Sequence, residues 1–232
     1  MGDQPALELK GVTLDRRSPL RDQIYDVIRS LIIMGRLRPG QAISEVEIAG
    51  QLGVSRTPVR EAVKRISDEG LIDVFAQNGT FVTGISRKAL EEAYIIRNAL
   101  ELESVRRAAS TMTALDEETL EDNIGQHQLA IDRQRFADAI RLDDQFHRTI
   151  AEINGLSMLW RAVDISKAQM DRGRYLSIPR PGSGEVTIAQ HREIVAALRA
   201  RDASAAMTAM RTHLDTSLHN TLSLLGNVDP GG

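Results

Sequence analysis

Four side chains in the second half of the chain are of the types that bind transition metals. Asp143 and His147 are four residues apart, so on a helix both project from the same face. His191 and His213 follow on two later segments of helical character. One carboxylate and three imidazoles that converge in a helical core would bind a divalent transition metal, such as zinc, nickel or manganese. Spacing alone does not show convergence, since histidines are more often surface or hydrogen-bonded residues and Asp144 could equally pair with His147.

A basic helix in the first third of the chain is a second candidate site. Residues 44–66 form two short helical patterns on either side of Gly53, and Arg56, Arg60 and Lys64 recur at four-residue spacing in the second pattern. That pattern carries four basic residues against one acidic residue, whereas the whole chain has a net charge of -3. A polyanion such as double-stranded DNA is the natural partner of such a face. The alternative is an ordinary solvated amphipathic helix.

Local residue chemistry predicts where these two helices begin and end. Ser44 followed by Glu47 is typical of a capping box, which places the start of the first helix at residue 45. Gly53 permits the backbone conformation of a helix end, and Ser55 is predicted to cap the second helix. The apolar stripe of the first helix is expected to consist of Val46, Ala49 and Leu52.

The segments around these helices predict a winged helix-turn-helix. Apolar residues between 20 and 31 recur at helical spacing and predict a scaffold helix. Two β-prone runs, residues 71–75 and 80–83, are separated by a turn signal at Asn78-Gly79 and predict a hairpin. Eight basic and eight acidic residues balance between residues 20 and 85. Any affinity for DNA must therefore come from one face of this domain.

The rest of the chain predicts helices alone. Ser86 is expected to cap a long helix, Asp116 a second one, and a third begins at Phe136. A fourth helix is predicted to run to about residue 175, and two more to span residues 185–201 and 203–225. Residues 177–184 contain two prolines and two glycines and are predicted to be a loop. The fold class is therefore mostly α, with the winged domain followed by an antiparallel six-helix bundle.

The predicted organisation has four parts. Residues 1–17 form a flexible arm, 18–85 the winged domain of three helices and a hairpin, 86–225 the helical domain, and 226–232 a tail. With 232 residues, of which 42% are hydrophobic and 26% charged, the chain can fill two cores. It has no cysteine and no apolar run near the roughly 20 residues of a membrane span. We therefore expect a soluble, cytoplasmic protein without a membrane partner.

Residues 20 to 84 resemble the N-terminal domain of the GntR family of bacterial transcription regulators. The resemblance rests on the run RPGQAISEVEIAGQLGVSRTPVREAVKRISDEGLI, followed by NGTFV. It implies a homodimer on an operator of two-fold symmetry, with the second helix in the major groove and the wing tip at Gly79 near the minor groove. Arg56 and Arg60 are then expected to read bases. The residues expected to hold phosphates are Ser55, Thr57 and Lys64.

Residues 86 to 222 resemble the all-helical effector domain of the FadR-type branch of that family, in its six-helix form. The run LDDQFH at residues 142–147 is similar to the metal signature of the branch. The metal ligands that the resemblance implies are Asp143, His147, His191 and His213. It implies, further, that this domain forms the dimer and binds a small organic acid, with Arg97 holding the carboxylate. The alternative for Arg97 is an ordinary ion pair with Glu101.

Two further histidines, His127 and His219, fall outside this pattern and are expected to be solvated helix residues. The features together predict a metabolite-responsive transcription regulator, with repression the commoner sense in the family, that binds an inverted-repeat operator as a homodimer. Two alternatives are a metal-dependent enzyme that activates water at the Asp/His site and a ligand-binding module in which the basic helix is incidental. An enzyme is not expected, because spacing marks no general base beyond the metal ligands.

Overall fold

The computed structural model describes residues 9, 11–180 and 182–225, and the chain divides into two compact units between Ile85 and Ser86. Both units are helical apart from one small sheet in the first, so the predicted mostly α fold class is confirmed. The predicted tail at 226–232 and most of the predicted arm lie outside the described residues. None of the helices in the described part has both the length and the apolar composition that crossing a membrane requires.

The first unit has the predicted winged helix-turn-helix architecture. Its elements are α1 (Leu20–Ile33), β1 (Ala42–Ile43), α2 (Glu45–Leu52), α3 (Arg56–Asp68), β2 (Ile72–Phe75) and β3 (Gly79–Val82). The strands form an antiparallel sheet of order β1-β3-β2. Phe75 pairs with Gly79 across the turn of the wing, and Gly79 has a φ of +108°, which favours glycine. Sequence reasoning missed β1, because a strand of two residues has no alternation to detect.

The predicted capping residues of α2 and α3 lie at the helix ends, but not all of them make the expected hydrogen bonds. The Ser44 hydroxyl caps α2 by accepting a hydrogen bond from the Glu47 amide, and Gly53 ends the helix with a φ of +62°. Ser55 is the N-cap residue of α3, as predicted, but its side chain makes no capping hydrogen bond. The Ser55 hydroxyl is exposed instead.

The buried face of α2 differs from the predicted stripe. Ile48 and Ala49 are its buried residues, whereas Val46 is 59% exposed. The prediction that Val46 lies in the core is therefore wrong. An eight-residue helix packed mainly against one neighbour, here α3, buries a narrow side only, and Ile48 supplies the larger apolar surface on that side.

The described end of the predicted arm contacts the winged unit. Leu9 is buried, and its amide donates to Gln51 Oε1 of α2 at 2.8 Å. Gln23 of α1 donates through Nε2 to the Asp15 carbonyl and accepts from the Asp15 amide, both at 2.8 Å. These bonds hold Leu9 and Asp15 against the helices.

The described part of the second unit contains seven helices. They are α4 (Arg87–Thr111), α5 (Ala114–Asp132), α6 (Phe136–Ile153), α7 (Ser157–Ser166), α8 (Ala168–Ser177), α9 (Ser183–Arg199) and α10 (Ala203–Leu225). The long helices α4 and α10 make the most extensive contact of any helix pair in the unit. The core between them and their neighbours includes Val105, Phe146, Val195 and Leu214, all fully buried.

The predicted six-helix bundle is wrong by one helix, because the predicted fourth helix is divided at Lys167 into α7 and α8. Val163 is the one buried residue of α7, whereas α8 buries eight of its ten residues. The Lys167 amine lies 2.8 Å from Asp144 and 2.5 Å from Asp171. The break lets a surface helix be followed by a core helix, and these carboxylates hold the amine at the junction.

Two helices begin earlier than predicted. Thr113, not Asp116, is the N-cap of α5: its hydroxyl accepts from the Asp116 amide and the Asp116 carboxylate accepts from the Thr113 amide. Helix α9 begins at Ser183, which shortens the predicted loop at 177–184. Ser86 accepts a hydrogen bond at the start of α4, as predicted, and Asp202 accepts one at the start of α10.

Candidate functional site

The four residues proposed as metal ligands meet in the second unit. Asp143 and His147 lie on α6, His191 on α9 and His213 on α10, all buried, and one ligand atom from each lies within 4.8 Å of the others. His147 Nε2 lies 3.1 Å from His213 Nε2 and 3.7 Å from Asp143 Oδ2, and His191 Nε2 lies 3.4 Å from Asp143 Oδ1. A metal bonded to each at about 2.1 Å requires ligand atoms roughly 3 to 4 Å apart. The four positions are therefore compatible with one ion.

Neighbouring acceptors face two of the histidine rings. Gln190 Oε1 lies 3.2 Å from His213 Nδ1, so the neutral His213 ring carries its proton on Nδ1 and presents a lone pair on Nε2. Glu101 Oε2 lies 2.6 Å from His147 Nδ1, but neither atom makes a well-formed hydrogen bond in the described part of the chain. The Nε2 atoms of His147 and His213 lie 3.1 Å apart, a separation that one metal ion bonded to both can span.

The orientation of the Gln190 amide is set by α10. Gln190 Nε2 donates to Thr216 Oγ1 at 2.9 Å, and the Thr216 hydroxyl donates to the Thr212 carbonyl at 2.8 Å. The Thr216 oxygen is therefore an acceptor for the amide, which leaves Gln190 Oε1 to face His213. Sequence reasoning missed Gln190, because its position directly before His191 gives no signal of a partner on another helix.

Electrostatics favour the metal-binding protonation states of three of the ligands, Asp143, His191 and His213. Burial alone would raise the pKa of Asp143, but the Arg174 guanidinium and the nearby histidines hold it well below its usual value. Burial lowers the pKa of His191, and burial together with the neighbouring imidazoles holds the pKa of His213 well below its usual value. An ionised carboxylate and neutral imidazoles are the forms that bind a metal.

His191 gives a further indication of a missing partner. Its ring stacks on Phe146, with centroids 3.8 Å apart and planes 7° apart, which fixes the ring plane. Neither ring nitrogen makes a well-formed hydrogen bond in the described part of the chain, although the residue is fully buried. An unpaired buried polar group costs about 1 to 3 kcal/mol. Bonding to a metal would remove that cost, so the donor set fits a divalent transition metal.

A buried ion-pair network on α8 adjoins the centre. Arg174 pairs with Asp143 and lies 3.1 Å from Asp144 and 3.2 Å from Asp171. Lys167 pairs with Asp144 and Asp171 as well. Burial lowers the pKa of both cations, but the carboxylates outweigh it and raise each pKa above its usual value. Sequence reasoning missed Arg174, because it is 31 residues from Asp143 on another helix.

Arg97 lies beside Glu101 and not beside the cavity that adjoins the four proposed ligands. Its Nε donates to Glu101 Oε1 at 2.5 Å, both residues are buried, and Glu101 in turn contacts His147. The alternative of an ion pair with Glu101 is therefore what the structure contains. Arg97 is not among the described residues that line the cavity, so its position does not support the prediction that it holds an effector carboxylate.

A polar cavity between α8, α9 and α10 reaches the centre. Asp143 and His213 form part of its wall, and Arg174 is the cation among its described lining residues. His127 of α5 lines it too, 1% exposed, with its ring 5.6 Å from that of His191. The prediction that His127 is solvated is wrong. Burial lowers its pKa to about 4, so it is neutral.

The candidate DNA-reading residues are all on the surface of the first unit. Arg56, Thr57, Arg60 and Lys64 of α3 are exposed, as are Ser55 before the helix and Gly79 in the wing. The opposite side of α3 is buried, and its residues Val59, Ala62, Val63 and Ile66 pack against the unit's core. The helix thus presents one polar, basic side to a partner.

Two contacts on α3 refine this surface. Arg65 lies over the Tyr25 ring at 3.6 Å and pairs with Asp22 at 3.4 Å, so this basic residue faces α1 and not the reading side. Arg60 Nε lies 3.6 Å from Glu45 at the start of α2. Glu45 thus contacts a residue that is proposed to read bases.

Comparison with known proteins assigns both units. Residues 20–82 match the family described as bacterial regulatory proteins, gntR family, and residues 92–216 match the FCD domain. The chain belongs to the GntR family. Its second unit places it in the FadR-type branch, as the sequence resemblance implied.

Named relatives agree with this assignment. The HTH-type transcriptional repressor RspR of Escherichia coli (strain K12) is 36% identical over 201 residues, which cover 87% of this chain and 88% of RspR. The Nta operon transcriptional regulator of Aminobacter aminovorans is 28% identical over 188 residues, covering 81% and 88%. The structure of E. coli McbR/YncC aligns with a TM-score of 0.79 at 22% identity, covering 90% of this chain and 99% of that one, and supports the fold. The family consists of transcription regulators, so the chain is a regulator and not an enzyme.

Proposed function

We propose that this GntR-family regulator is a homodimeric repressor that binds an inverted-repeat operator and senses a small carboxylate at a metal centre in its FCD domain. The observation that carries the sensing half of the proposal is the meeting of three imidazoles and one ionised carboxylate beside a cavity that contains Arg174. The repressor function of RspR supports the sign of regulation.

The proposed DNA contacts follow from the exposed side of α3. Arg56 and Arg60 would read bases in the major groove, where a guanidinium can donate two hydrogen bonds to guanine. Ser55, Thr57 and Lys64 would hold phosphates, and Gly79 lets the wing backbone approach the minor groove. The Glu45 carboxylate beside Arg60 restricts the directions in which its guanidinium can point.

The proposed metal ligands are Asp143, His147, His191 and His213, and zinc, nickel and manganese are the candidate ions. A bound divalent ion would supply two positive charges and an open position for a carboxylate oxygen. Glu101 and Gln190 hold two imidazoles with Nε2 towards that position. Arg174 lies on the cavity side and can donate to the same carboxylate.

Charge decides whether an anion can approach this site. Ion pairs of 3.2 Å or less connect four carboxylates to three cations around the histidines. These seven ion-paired groups sum to a charge of -1, which disfavours an anion, and a divalent ion reverses the sign. We expect carboxylates to bind the metal-loaded protein and not the metal-free protein. The carboxylates are Glu101, Asp143, Asp144 and Asp171, and the cations are Arg97, Lys167 and Arg174.

The test combines DNA binding with metal content. Operator fragments are selected from genomic DNA with the zinc-loaded protein, and affinity is then measured by fluorescence anisotropy with and without small carboxylates. We expect one class of acid to change the affinity, and we expect no change after chelation. His147→Ala with His191→Ala should remove stoichiometric metal in elemental analysis, whereas His219→Ala, a change on the exposed side of α10, should not. Stoichiometric metal in the double variant would contradict the four-ligand site.

A further inference from the structure

Two of the proposed DNA contacts on α3 lie beside a carboxylate. Lys64 Nζ lies 3.4 Å from Asp68 Oδ2, one turn further along the same helix. Arg60 Nε lies 3.6 Å from Oε2 of Glu45, the first residue of α2. A pair of opposite charges four residues apart is common on solvated helices. The pair of Arg60 and Glu45 is different, because it joins the two helices of the helix-turn-helix at the surface that is proposed to contact DNA.

The fold holds the Glu45 carboxylate in place. Glu45 directly follows the Ser44 cap, and its side chain is 23% exposed, against 69% for Arg60. In the same turn of α2, Glu47 accepts a hydrogen bond from Gln51 Nε2 at 3.1 Å. The helix dipole stabilises both carboxylates, because both lie in the first turn. The dipole does not explain why the Glu45 carboxylate lies beside a proposed base reader.

The contact leaves a defined part of Arg60 for a base. A guanidinium has five N–H donors, one on Nε and four on the two terminal nitrogens. With Nε turned towards Glu45, the terminal nitrogens remain, and they can donate to O6 and N7 of one guanine. A side chain that is already restricted loses less conformational entropy when it binds. Glu45 therefore favours the bidentate contact with guanine.

Glu45 also affects binding to DNA of other sequences. Phosphates attract an arginine and repel a carboxylate, and this attraction supplies nearly all of the affinity for non-specific DNA. If Arg60 turned to a phosphate, Glu45 would lose its cation and remain beside the anionic backbone. Like charges that meet in an interface oppose binding of the wrong partner. The cost is smaller at the operator, where Arg60 can contact guanine and Glu45 together.

We infer that Glu45 determines sequence specificity through Arg60. It positions the guanidinium for one guanine in each half-site and lowers the affinity for DNA without that guanine. Glu45 is thus a positioning residue, and α2 contributes to recognition in addition to supporting α3. The inference rests on the proposed function, since it takes Arg60 as a base reader.

A charge-matched pair of variants tests the effect on specificity. Zinc-loaded full-length protein is titrated by fluorescence anisotropy against a selected operator and against a scrambled duplex of the same composition. Glu45→Gln should bind the scrambled duplex about tenfold more tightly and the operator less than about threefold more tightly. Glu47→Gln is the control, because it removes one negative charge from the same turn of α2. It should change both affinities by the same factor.

The ratio of operator affinity to scrambled-duplex affinity decides the outcome. An equal ratio in wild type and Glu45→Gln would overturn the inference and leave the proposed function intact. A wild-type protein that binds every selected fragment no more tightly than the scrambled duplex would overturn the proposed function too.

A double-mutant cycle with Arg60→Ala tests whether Glu45 acts through Arg60. Against single-base operator variants, Glu45→Gln should reduce the preference for guanine at one position, and it should have no further effect in the Arg60→Ala background. Glu45→Asp retains the charge but withdraws the carboxylate by one methylene, so it should weaken that preference with little change in salt dependence. Melting followed by circular dichroism checks that the variants keep the fold. An equal loss of base preference with and without Arg60 would show that Glu45 contacts bases itself, and would overturn the inference.

Discussion

At the scale of single residues, the centre depends on side chains that contact the proposed metal ligands and would not bind the metal themselves. Glu101 places one carboxylate oxygen 2.6 Å from His147 Nδ1, and its other oxygen accepts a hydrogen bond from Arg97. The carboxylate thus lies directly between Arg97 and the His147 ring. Such neighbouring acceptors affect metal affinity nearly as strongly as the ligands do.

Replacing Glu101 by glutamine should therefore weaken zinc binding by about 10- to 100-fold. The neutral amide removes the negative charge beside His147 Nδ1, and it leaves Arg97 without its anion. Competition with a chromophoric chelator measures the affinity, and circular dichroism checks that the helices are retained. Glu103→Gln is the control, since Glu103 lies on the same helix but is half-buried and pairs with Arg106 and Arg107, away from the ligands. Wild-type zinc affinity in the Glu101 variant would argue against this role.

The two types of DNA contact proposed for α3 should respond differently to truncation. Arg60→Ala should cost roughly 1 to 3 kcal/mol of binding free energy and relax base preference at one position in each half-site. Lys64→Ala should weaken binding to all sequences and reduce the salt dependence. Anisotropy titrations against a set of single-base operator variants at several salt concentrations measure both effects. An unchanged base preference in Arg60→Ala would remove this residue from the reading set.

Spacing in the sequence could identify only some of these residues. Asp143 and His147 are marked by four-residue spacing on one helix, whereas His191 and His213 were candidates by residue type alone until the family resemblance supported them as ligands. Nothing local marks His127 or Gln190, because their positions arise from the packing of α5, α9 and α10 around one point. The role of Arg97 could not be decided from the sequence for a related reason: a four-residue spacing fits an ion pair and a ligand contact equally well.

At the scale of elements, α8 connects the centre to the rest of the helical unit. It buries charged and polar residues on several sides, and Arg174 and Lys167 join it to α6. Its close approach to α10 requires glycine. A Cβ added at Gly173 would lie 2.0 Å from Thr221 Cγ2, well inside van der Waals contact.

The Gly173→Ala variant should therefore destabilise the helical unit by about 1 to 3 kcal/mol, the usual cost of overpacking. Urea unfolding followed by the fluorescence of Trp160, the single tryptophan, measures this, since Trp160 lies on α7. Gly125→Ala is the control, because Gly125 is an exposed residue of α5 with open space around it, and alanine there should stabilise by about 0.5 to 1 kcal/mol. Combining Gly173→Ala with Thr221→Ser should recover part of the loss. Without that recovery, the proposed clash would not explain the effect.

Element types could be predicted better than element boundaries. Helical periodicity and the Asn78-Gly79 turn signal predicted α1 to α6 and the wing hairpin. The division at Lys167 could not be predicted, because residues 157–177 contain no proline and the break depends on carboxylates from α6. Strand β1 has two residues and is defined by its pairing with β3, which is distant in sequence. The residues of β1 therefore carry no local pattern that predicts a strand.

At the scale of the whole molecule, the first unit has few means of binding DNA tightly alone. Its acidic and basic residues are equal in number, and Arg65 packs on the Tyr25 ring and pairs with Asp22, away from the reading side. A small reading surface of this kind gives modest affinity for one half-site. Two such units joined through a dimer would bind two half-sites with a large gain from effective concentration, on the order of 10²- to 10⁴-fold.

The proposed homodimer therefore predicts a strong dependence on half-site spacing. Insertion of about five base pairs between the half-sites of a selected operator turns one of them to the opposite face of the duplex. Affinity of the full-length protein should then fall by roughly 100-fold or more, to that of a single half-site. Insertion of about ten base pairs places both half-sites on the same face of the duplex again. It should restore part of the affinity if the two winged units can separate far enough. Anisotropy titrations at one fixed salt concentration measure the series, and sedimentation of the complex counts the chains bound. Equal affinity at every spacing, with one chain per duplex, would show that the winged units act singly.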